Sequence, residues 1–303
     1  MHDDLSHLPA KQQDELQRAV RILMEEFQKA TVLGNQVWKR GGKILKIILF
    51  GSYARSDWVD DPENGYQSDF DLLVIVSHEK LTDIAEYWYV AEDRILRDET
   101  VGRPVNIIVH DLDEVNQALK RGEYFWADIV RDGIMLYELP NHPLATPVPV
   151  SKFEAVRTAE RYFQRYSALS RKWLKMAQLA IQEEPTDRDF LNISAFHLHQ
   201  AAETAYACFL LTTTFYFPKS HNIKFLRSLS EDKETVLIEA WPRGTKADRR
   251  RFELLKRAYV EARYSPNYNI SLEDLDALYA SVKRLCDIAE RLCEARITNL
   301  ARD

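Results

Sequence analysis

A cluster of prolines at residues 139–150 (LPNHPLATPVPV) most constrains how this chain can fold. Four of these twelve residues are proline, the densest cluster in the sequence. Proline lacks a backbone N–H and fixes its φ angle, so neither a long helix nor a central strand can pass through such a segment. The cluster therefore predicts a linker over residues 141–151, with one domain at 1–140 and another at 152–303.

The segment before the prolines alternates strand and helix patterns. Residues 8–40 and 79–98 have helical spacing, and further helix is predicted from Asp111. Short apolar runs predict strands at 44–50 (ILKIILF), 70–76 (FDLLVIV), 104–109 (PVNIIV) and 133–138 (GIMLYE). These patterns predict an α+β domain with a small mixed sheet.

The segment after the prolines has helical spacing throughout. The predicted helices are 152–183, 187–216, 247–263 and 271–302. Because no strand pattern persists there, the fold class of this half is an all-α helical bundle. Cys208, Cys286 and Cys293 form no CxxC pair, which supports neither a disulfide frame nor a zinc site. Cys286 and Cys293 lie seven apart in an apolar helical pattern, so we expect these two to be core residues.

Charge divides unevenly between the two halves. The chain has a net charge of −6, and residues 1–140 hold 16 Lys and Arg against 26 Asp and Glu. The first half is thus acidic and the second mildly basic, which favours a metal site in one and tolerates nucleic acid in the other. With no signal pattern and no apolar run of about 18 residues, we expect a cytoplasmic protein without a membrane span.

Residues 49–76 hold the strongest functional pattern. Asp69 and Asp71 lie two apart at the start of a strand, so both side chains project from one face and together favour a hard cation such as Mg²⁺. Gly51 and Ser52 lie between a strand and a predicted helix, where backbone N–H groups can bind phosphate. Arg55 is suited to a phosphate oxygen.

This pattern resembles the minimal nucleotidyltransferases of the DNA polymerase β superfamily, over residues 44–110. The resemblance implies Mg²⁺-dependent transfer of a nucleoside monophosphate from an NTP such as ATP. It assigns Gly51 and Ser52 to the triphosphate, and Asp69 and Asp71 to the metal. The sequence departs from the family where a third carboxylate is expected, because Asn106 takes that position. His110, on the same face of a regular strand, is a possible substitute. The 16-residue spacer between the motifs predicts a loop beside the site.

The helical half resembles the HEPN domain over residues 152–300. The matching features are HQAAE (His199–Glu203), the turn at 218–221 and ARYS (Ala262–Ser265). The resemblance implies a four- or five-helix bundle and a homodimer through that bundle. Many HEPN nucleases have an arginine and a histidine four to six residues apart. No such spacing follows residue 150, since Arg188 and His197 are too far apart. His199, Gln200 and Glu203 predict a buried network or helix–helix contact, or alternatively a pocket that faces a substrate or RNA. His221 is interpreted as a packing residue at a helix N-terminus, with a catalytic role as the alternative.

These observations leave several functions open. The first is adenylyl transfer to an RNA or protein acceptor, in a bacterial toxin–antitoxin or phage-defence setting. The alternatives are an aminoglycoside-type nucleotidyltransferase, a nucleotide-sensing module without catalysis, and a HEPN RNase. The basic run 246–257 (KADRRRFELLKR) is either a phosphate-binding surface or a solvated face.

Overall fold

The computed structural model describes residues 2–32, 36–61, 66–218 and 220–302. The chain divides into two compact units, Met1–Pro149 and Val150–Asp303. The first unit is a small mixed sheet with helices, and the second consists of helices. No helix in the described ranges is both long enough and apolar enough to cross a membrane.

The first unit is built on a four-stranded sheet. In chain order the strands of this unit are β1 (Ile44–Phe50), β2 (Asp60–Asp61), β3 (Tyr66–Gln67), β4 (Phe70–Val76), β5 (Val105–Asp111) and β6 (Ile134–Glu138). The large sheet has the order β5-β4-β1-β6, in which β4 and β5 are parallel and the other pairs antiparallel. Every residue of β1 and β4 is buried, as expected for apolar strands covered on both faces.

The helices of the first unit differ in part from the predicted ones. They are α1 (Ala10–Val32), α2 (Val37–Arg40), α3 (Ser52–Arg55), α4 (Tyr89–Leu96), α5 (Leu112–Lys120) and α6 (Tyr124–Asp132). The predicted helix 8–40 corresponds to α1 and α2, and residues 33–35 lie outside the described ranges. The predicted helix 79–98 is interrupted, because Asp83 accepts a hydrogen bond from the Glu86 amide and starts a new turn there.

Part of the spacer between Ser52 and Asp69 is not the loop that the sequence predicts. Asp60 pairs with Gln67 in a two-stranded antiparallel ladder formed by β2 and β3. Residues 62–65, between these strands, lie outside the described ranges. Because a hairpin this short has little apolar content, periodicity could not reveal it.

The second unit consists of α7 (Lys152–Glu183), α8 (Arg188–Thr214), α9 (Ile223–Glu231), α10 (Lys246–Tyr264) and α11 (Leu272–Arg302), with a short 3₁₀ helix at Thr235–Ala240. The predicted bounds of α7 are confirmed, and those of α8, α10 and α11 agree within two residues. The short α9 was not predicted. It begins after Asn222, whose side chain accepts from the Lys224 and Phe225 amides.

Helix α8 lies at the centre of this unit and packs against α7, α9, α10 and α11. Its sequence is apolar on nearly all sides, which is the pattern of a buried helix. All three cysteines are buried, and the Sγ atoms of Cys208 and Cys293 are 4.0 Å apart. The expectation that Cys286 and Cys293 are core residues is confirmed.

Candidate functional site

The sheet topology brings the predicted site residues of the first unit to one edge. Strand β1 ends at Phe50, which pairs with Asp71 at the start of the antiparallel β4. Asp71 in turn pairs with Asn106 at the start of the parallel β5. The turn that begins at Gly51 therefore lies beside the starts of β4 and β5. Residues separated by up to 55 positions thus meet at this sheet edge.

Asn106 joins the two aspartates. Its Nδ2 amide donates to Asp69 Oδ2 at 3.2 Å and to Asp71 Oδ1 at 3.0 Å. Only 4% of Asp69 and 2% of Asp71 is exposed. Two buried carboxylates repel each other, and a donor that both of them share lowers the cost of holding them together. In this position a carboxylate would add to the repulsion, whereas the amide reduces it.

The turn after β1 requires a glycine. Gly51 has φ 76° and ψ −154°, a conformation that is essentially restricted to glycine. Ser52 follows as the first residue of α3, a single helical turn, and is buried. The turn thus brings backbone close to the aspartates without a side chain in the way. The third predicted phosphate ligand, Arg55, forms an ion pair with Asp57 at 3.2 Å and is partly exposed.

A buried polar chain supports this turn, and it was not predicted from the sequence. Arg103 donates from Nε to Glu15 Oε2 at 2.6 Å and from Nη1 to the hydroxyl of Tyr53. Glu15 and Arg103 are both almost completely buried. Tyr53 is buried as well, and burial raises its pKa to about 12. Its ring packs edge-on against Phe70, which lies between the two aspartates in sequence.

The sequence contains one sign of this buried chain. Glu15 precedes Leu16 on the apolar side of α1, where a charged residue is unexpected without a partner. The partner Arg103 is 88 positions away, immediately before β5. No spacing rule links residues that far apart, so the pair became visible only in the folded structure.

His110 does not lie beside the aspartates. It pairs with Ile75 at the far end of the β4–β5 ladder. Four residues of strand separate it from Asn106, which is about 13 Å at 3.3 Å per residue. Its Nδ1 lies 2.7 Å from Glu114 Oε2, and its ring packs edge-on against Trp126. The suggestion that His110 substitutes for the third carboxylate is therefore wrong.

The donor set at this edge fits a cation held by two carboxylates. Among the described residues, no group of three or more His, Cys, Asp or Glu side chains is placed to hold a metal ion. Asp69 and Asp71 are a pair, and their third neighbour is the amide of Asn106. Mg²⁺ is commonly bound by one or two carboxylates, with water and substrate phosphates completing its shell. The residues present are compatible with that mode of binding.

The second unit holds a separate cluster of titratable groups between α8 and α10. His199 is fully buried, and its Nδ1 lies 3.8 Å from Glu203 Oε2. Burial, more than the nearby His221, lowers the pKa of His199 to about 4, and neither ring nitrogen has a hydrogen-bond partner among the described residues. His221 lies 3.0 Å from Glu203 Oε2 and stacks on the Tyr259 ring at 4.2 Å. His221, predicted to be a packing residue, is thus exposed and bonded to Glu203.

Arg263 brings an arginine to this cluster that the linear spacing rule did not detect. Its guanidinium lies 4.7 Å from the centre of the Tyr259 ring, the same ring that His221 contacts. Arg188 instead donates to the backbone carbonyls of Pro266 and Tyr268. The ARYS segment (Ala262–Ser265) contains Arg263, whereas His221 lies in the turn before α9, so their positions in the sequence do not reveal that both contact Tyr259.

The basic run 246–257 is paired with acids. Arg250 and Arg251 both donate to Asp274, at 2.6 and 3.0 Å. Arg257 donates to Glu261 at 2.8 Å. Arg249 instead donates to the backbone carbonyl of Arg243. Because most cations of the run have carboxylate partners, the structure favours a solvated face over a phosphate-binding surface.

Comparison with known proteins bears on the second unit. No curated protein matches the chain. The match to a protein-family model begins within α7 and ends within α11, so it is narrower than the 152–300 range of the predicted resemblance. It includes the cluster of His199, Glu203 and Arg263 and does not extend to the first unit. Residues 169–292 match the HEPN domain, and the helical unit therefore contains a HEPN domain.

Proposed function

We propose that the first unit is a Mg²⁺-dependent nucleotidyltransferase that transfers a nucleoside monophosphate, AMP from ATP in the simplest case, to an RNA or protein acceptor. The observation that supports this most is the meeting of Gly51, Asp69, Asp71 and Asn106 at one sheet edge. In the reaction, the acceptor hydroxyl oxygen forms a bond to the α-phosphorus, and the bond to pyrophosphate breaks.

Each residue of the edge has a distinct part in this proposal. Asp69 and Asp71 hold the cation, which when bound neutralises the triphosphate and polarises its oxygens. Gly51 permits close approach of the phosphates to the backbone, and Ser52 can donate its hydroxyl to them. Asn106 keeps the two carboxylates in place through its shared amide. An amide is not a base at neutral pH, so Asn106 does not accept the acceptor's proton and the expected turnover is slow.

Two other functions of the same edge remain alternatives. A nucleotide-sensing module would bind NTP without turnover. An aminoglycoside-type enzyme would transfer the nucleotide to a small cationic acceptor, which favours an acidic binding surface. The mildly basic second half favours RNA or protein over such a substrate.

The decisive experiment is a transfer assay with each α-³²P-labelled NTP and Mg²⁺, in the presence of total RNA, lysate protein or an aminoglycoside. The test variant is Asp69→Asn/Asp71→Asn. The control is Asp111→Asn/Asp113→Asn, which has the same spacing and charge change in the same unit. Because Asp111 caps α5 and asparagine is an equally good cap, the control should fold normally.

The proposal is supported if the control variant transfers label to one acceptor fraction and the test variant does not. The labelled fraction then identifies the acceptor. Retained NTP binding with no label in any fraction would refute the catalytic part and favour the sensing module. Label in the aminoglycoside alone would favour that alternative.

Metal-independent RNA cleavage by the second unit is a second candidate, favoured by the cluster around Tyr259. His221 is exposed, is oriented by Glu203 and shares a ring contact with Arg263. Such a pair could move a proton and stabilise a phosphate charge. Cleavage of RNA in EDTA that His221→Gln and Arg263→Gln each abolish would support it. Cleavage that both variants retain would exclude this cluster.

A further inference from the structure

Five cations lie along one exposed face of α7. This cationic stripe consists of Arg157, Arg161, Arg165, Lys172 and Lys175, all of them exposed. At about 100° per residue, these positions fall within an arc of roughly 80°, so they face the same direction. The stripe spans about 27 Å along the helix at 1.5 Å per residue. No acidic residue lies within this arc between Arg157 and Lys175.

The stripe has no carboxylate partners among the described residues. None of its five members takes part in an ion pair or a side-chain hydrogen bond there. Arg171, on a neighbouring face of the same helix, is by contrast paired with Asp287 and Glu290. Four of the six cations in the 246–257 run are paired as well, namely Arg250, Arg251, Lys256 and Arg257. The chain has a net charge of −6, yet among the described residues the row of cations on α7 has no acidic partner.

Two tyrosines flank the stripe. The guanidinium of Arg161 lies 5.3 Å from the Tyr162 ring centre, and that of Arg165 lies 5.5 Å from the Tyr166 ring centre. Alternating cations and aromatic rings suit a single-stranded nucleic acid, because the cations bind phosphates and the rings stack on unpaired bases. Within the arc, only Ala168 lies between the cations, so this stretch has no large apolar side chain to insert into a lipid surface.

We propose that the cationic stripe of α7 binds the phosphate backbone of a single-stranded nucleic acid. The three arginines recur every four residues, so their guanidinium groups form an evenly spaced row. The planar groups suit phosphate oxygens, and the two lysines extend the row. This binding does not depend on nucleotidyl transfer, and it can be measured whether or not transfer occurs.

The test measures binding of the full chain to a fluorescein-labelled 20-nucleotide RNA and to DNA of the same sequence, by anisotropy at 50–300 mM NaCl. The stripe variant is Arg157→Gln/Arg161→Gln/Arg165→Gln. The matched control is Arg97→Gln/Arg257→Gln/Arg284→Gln, which removes three exposed arginines that have carboxylate partners. Both variants change the net charge equally, and glutamine retains helix propensity.

We expect the stripe variant to reduce the slope of log K against log salt by about 2 and to weaken binding tenfold to a hundredfold at 0.1 M salt, since each phosphate contact on a single strand contributes about 0.7 to the slope. The control should bind within about twofold of the unsubstituted protein. Stripe-dependent binding of RNA, DNA or both supports the inference, and the two probes show whether the sugar matters.

Three results would overturn it. The first is that the unsubstituted protein binds neither RNA nor DNA at 50 mM NaCl. The second is that the stripe variant and the control lose equal affinity. The third is that the stripe variant binds as tightly as the unsubstituted protein. Vesicles of phosphatidylserine and phosphatidylcholine serve as a further probe. Stripe-dependent binding to these vesicles without binding to either strand would assign the stripe to membranes instead. Circular dichroism of both variants shows whether the helical unit stays folded.

Discussion

Acid should destabilise the second unit through one buried side chain, His199. This histidine is fully buried in α8, and burial, more than the nearby His221, depresses its pKa to about 4. In the unfolded chain its pKa returns to about 6.5. Between these two values the unfolded state binds more protons than the folded state, so stability falls as the pH falls.

The size of the effect follows from the two pKa values. Above pH 6.5 the histidine is neutral in both states, and its contribution to the pH dependence of the free energy of unfolding is near zero. At pH 5 it favours unfolding by about 2 kcal/mol, and by pH 4 by about 3 kcal/mol. The groups that face it also titrate or carry charge. Burial raises the pKa of Glu203, which gives an effect of opposite sign, and Arg263 remains charged. The His199 term must therefore be isolated with a variant.

The assay compares the unsubstituted protein with His199→Gln in urea unfolding at pH 7 and pH 5. Hydrogen exchange of peptides from α8 reports the unfolding of the second unit. The stability lost between the two pH values should be about 2 kcal/mol smaller in the variant. His2→Gln, at an exposed position of the first unit, is the control and should lose as much as the unsubstituted protein. A side-chain ¹⁵N NMR titration that gives His199 a pKa above 6, or equal losses in His199→Gln and the unsubstituted protein, would refute the reasoning.

Three further predictions concern the first unit. Asn106→Ala should lower the free energy of unfolding by about 1–3 kcal/mol, because two buried carboxylates lose a shared donor. Mg²⁺ should then stabilise this variant more than it stabilises the unsubstituted protein. A thermal-shift series with and without MgCl₂ measures both effects. Arg103→Met should cost about 3–5 kcal/mol, because the buried Glu15 would keep only the exposed Lys11, at 3.8 Å, as a cationic partner. Glu15→Leu/Arg103→Met should recover much of this loss. Urea unfolding of the double-mutant cycle tests this, and additive losses would contradict it. Gly51→Ala should lower the free energy of unfolding by about 1–3 kcal/mol and weaken NTP binding, because the backbone angles of this residue suit only glycine. Calorimetric titration with ATP and Mg²⁺ measures the affinity. An unchanged affinity would show that the turn does not bind phosphate.

Local patterns were sufficient for most elements of the fold. The strands at 44–50 and 70–76 were predicted with the bounds observed, because an apolar run rich in β-branched residues forms a strand whatever surrounds it. The bounds of helix α7 were predicted from helical spacing, and in the structure the helix begins where Ser151 accepts from the Glu154 amide. Helix α9 and the β2–β3 hairpin were not predicted, because their sequences lack strong apolar periodicity.

Gly51, Ser52, Asp69 and Asp71 were assigned to one site from the sequence, on the combined Gly-Ser and Asp-x-Asp motif and the family resemblance that it carries. The role of Asn106 was not. The sequence showed only that an amide replaced an expected carboxylate, whereas the parallel register of β4 and β5 placed that amide between both aspartates. A hydrogen bond across 37 positions depends on strand order and register, which apolar periodicity does not specify.

Charge pairing shows most clearly what only the tertiary structure could decide. By composition, the run 246–257 is the most basic segment of the chain, and α7 is unremarkable because its cations are spread over 19 residues. In the folded protein, Asp274 from α11 forms ion pairs with Arg250 and Arg251, while the row on α7 forms no ion pair with any acid that the structure describes. Whether a cation is available to a ligand depends on which element packs beside it. That is a property of three-dimensional packing, and counting charges along the chain does not reveal it.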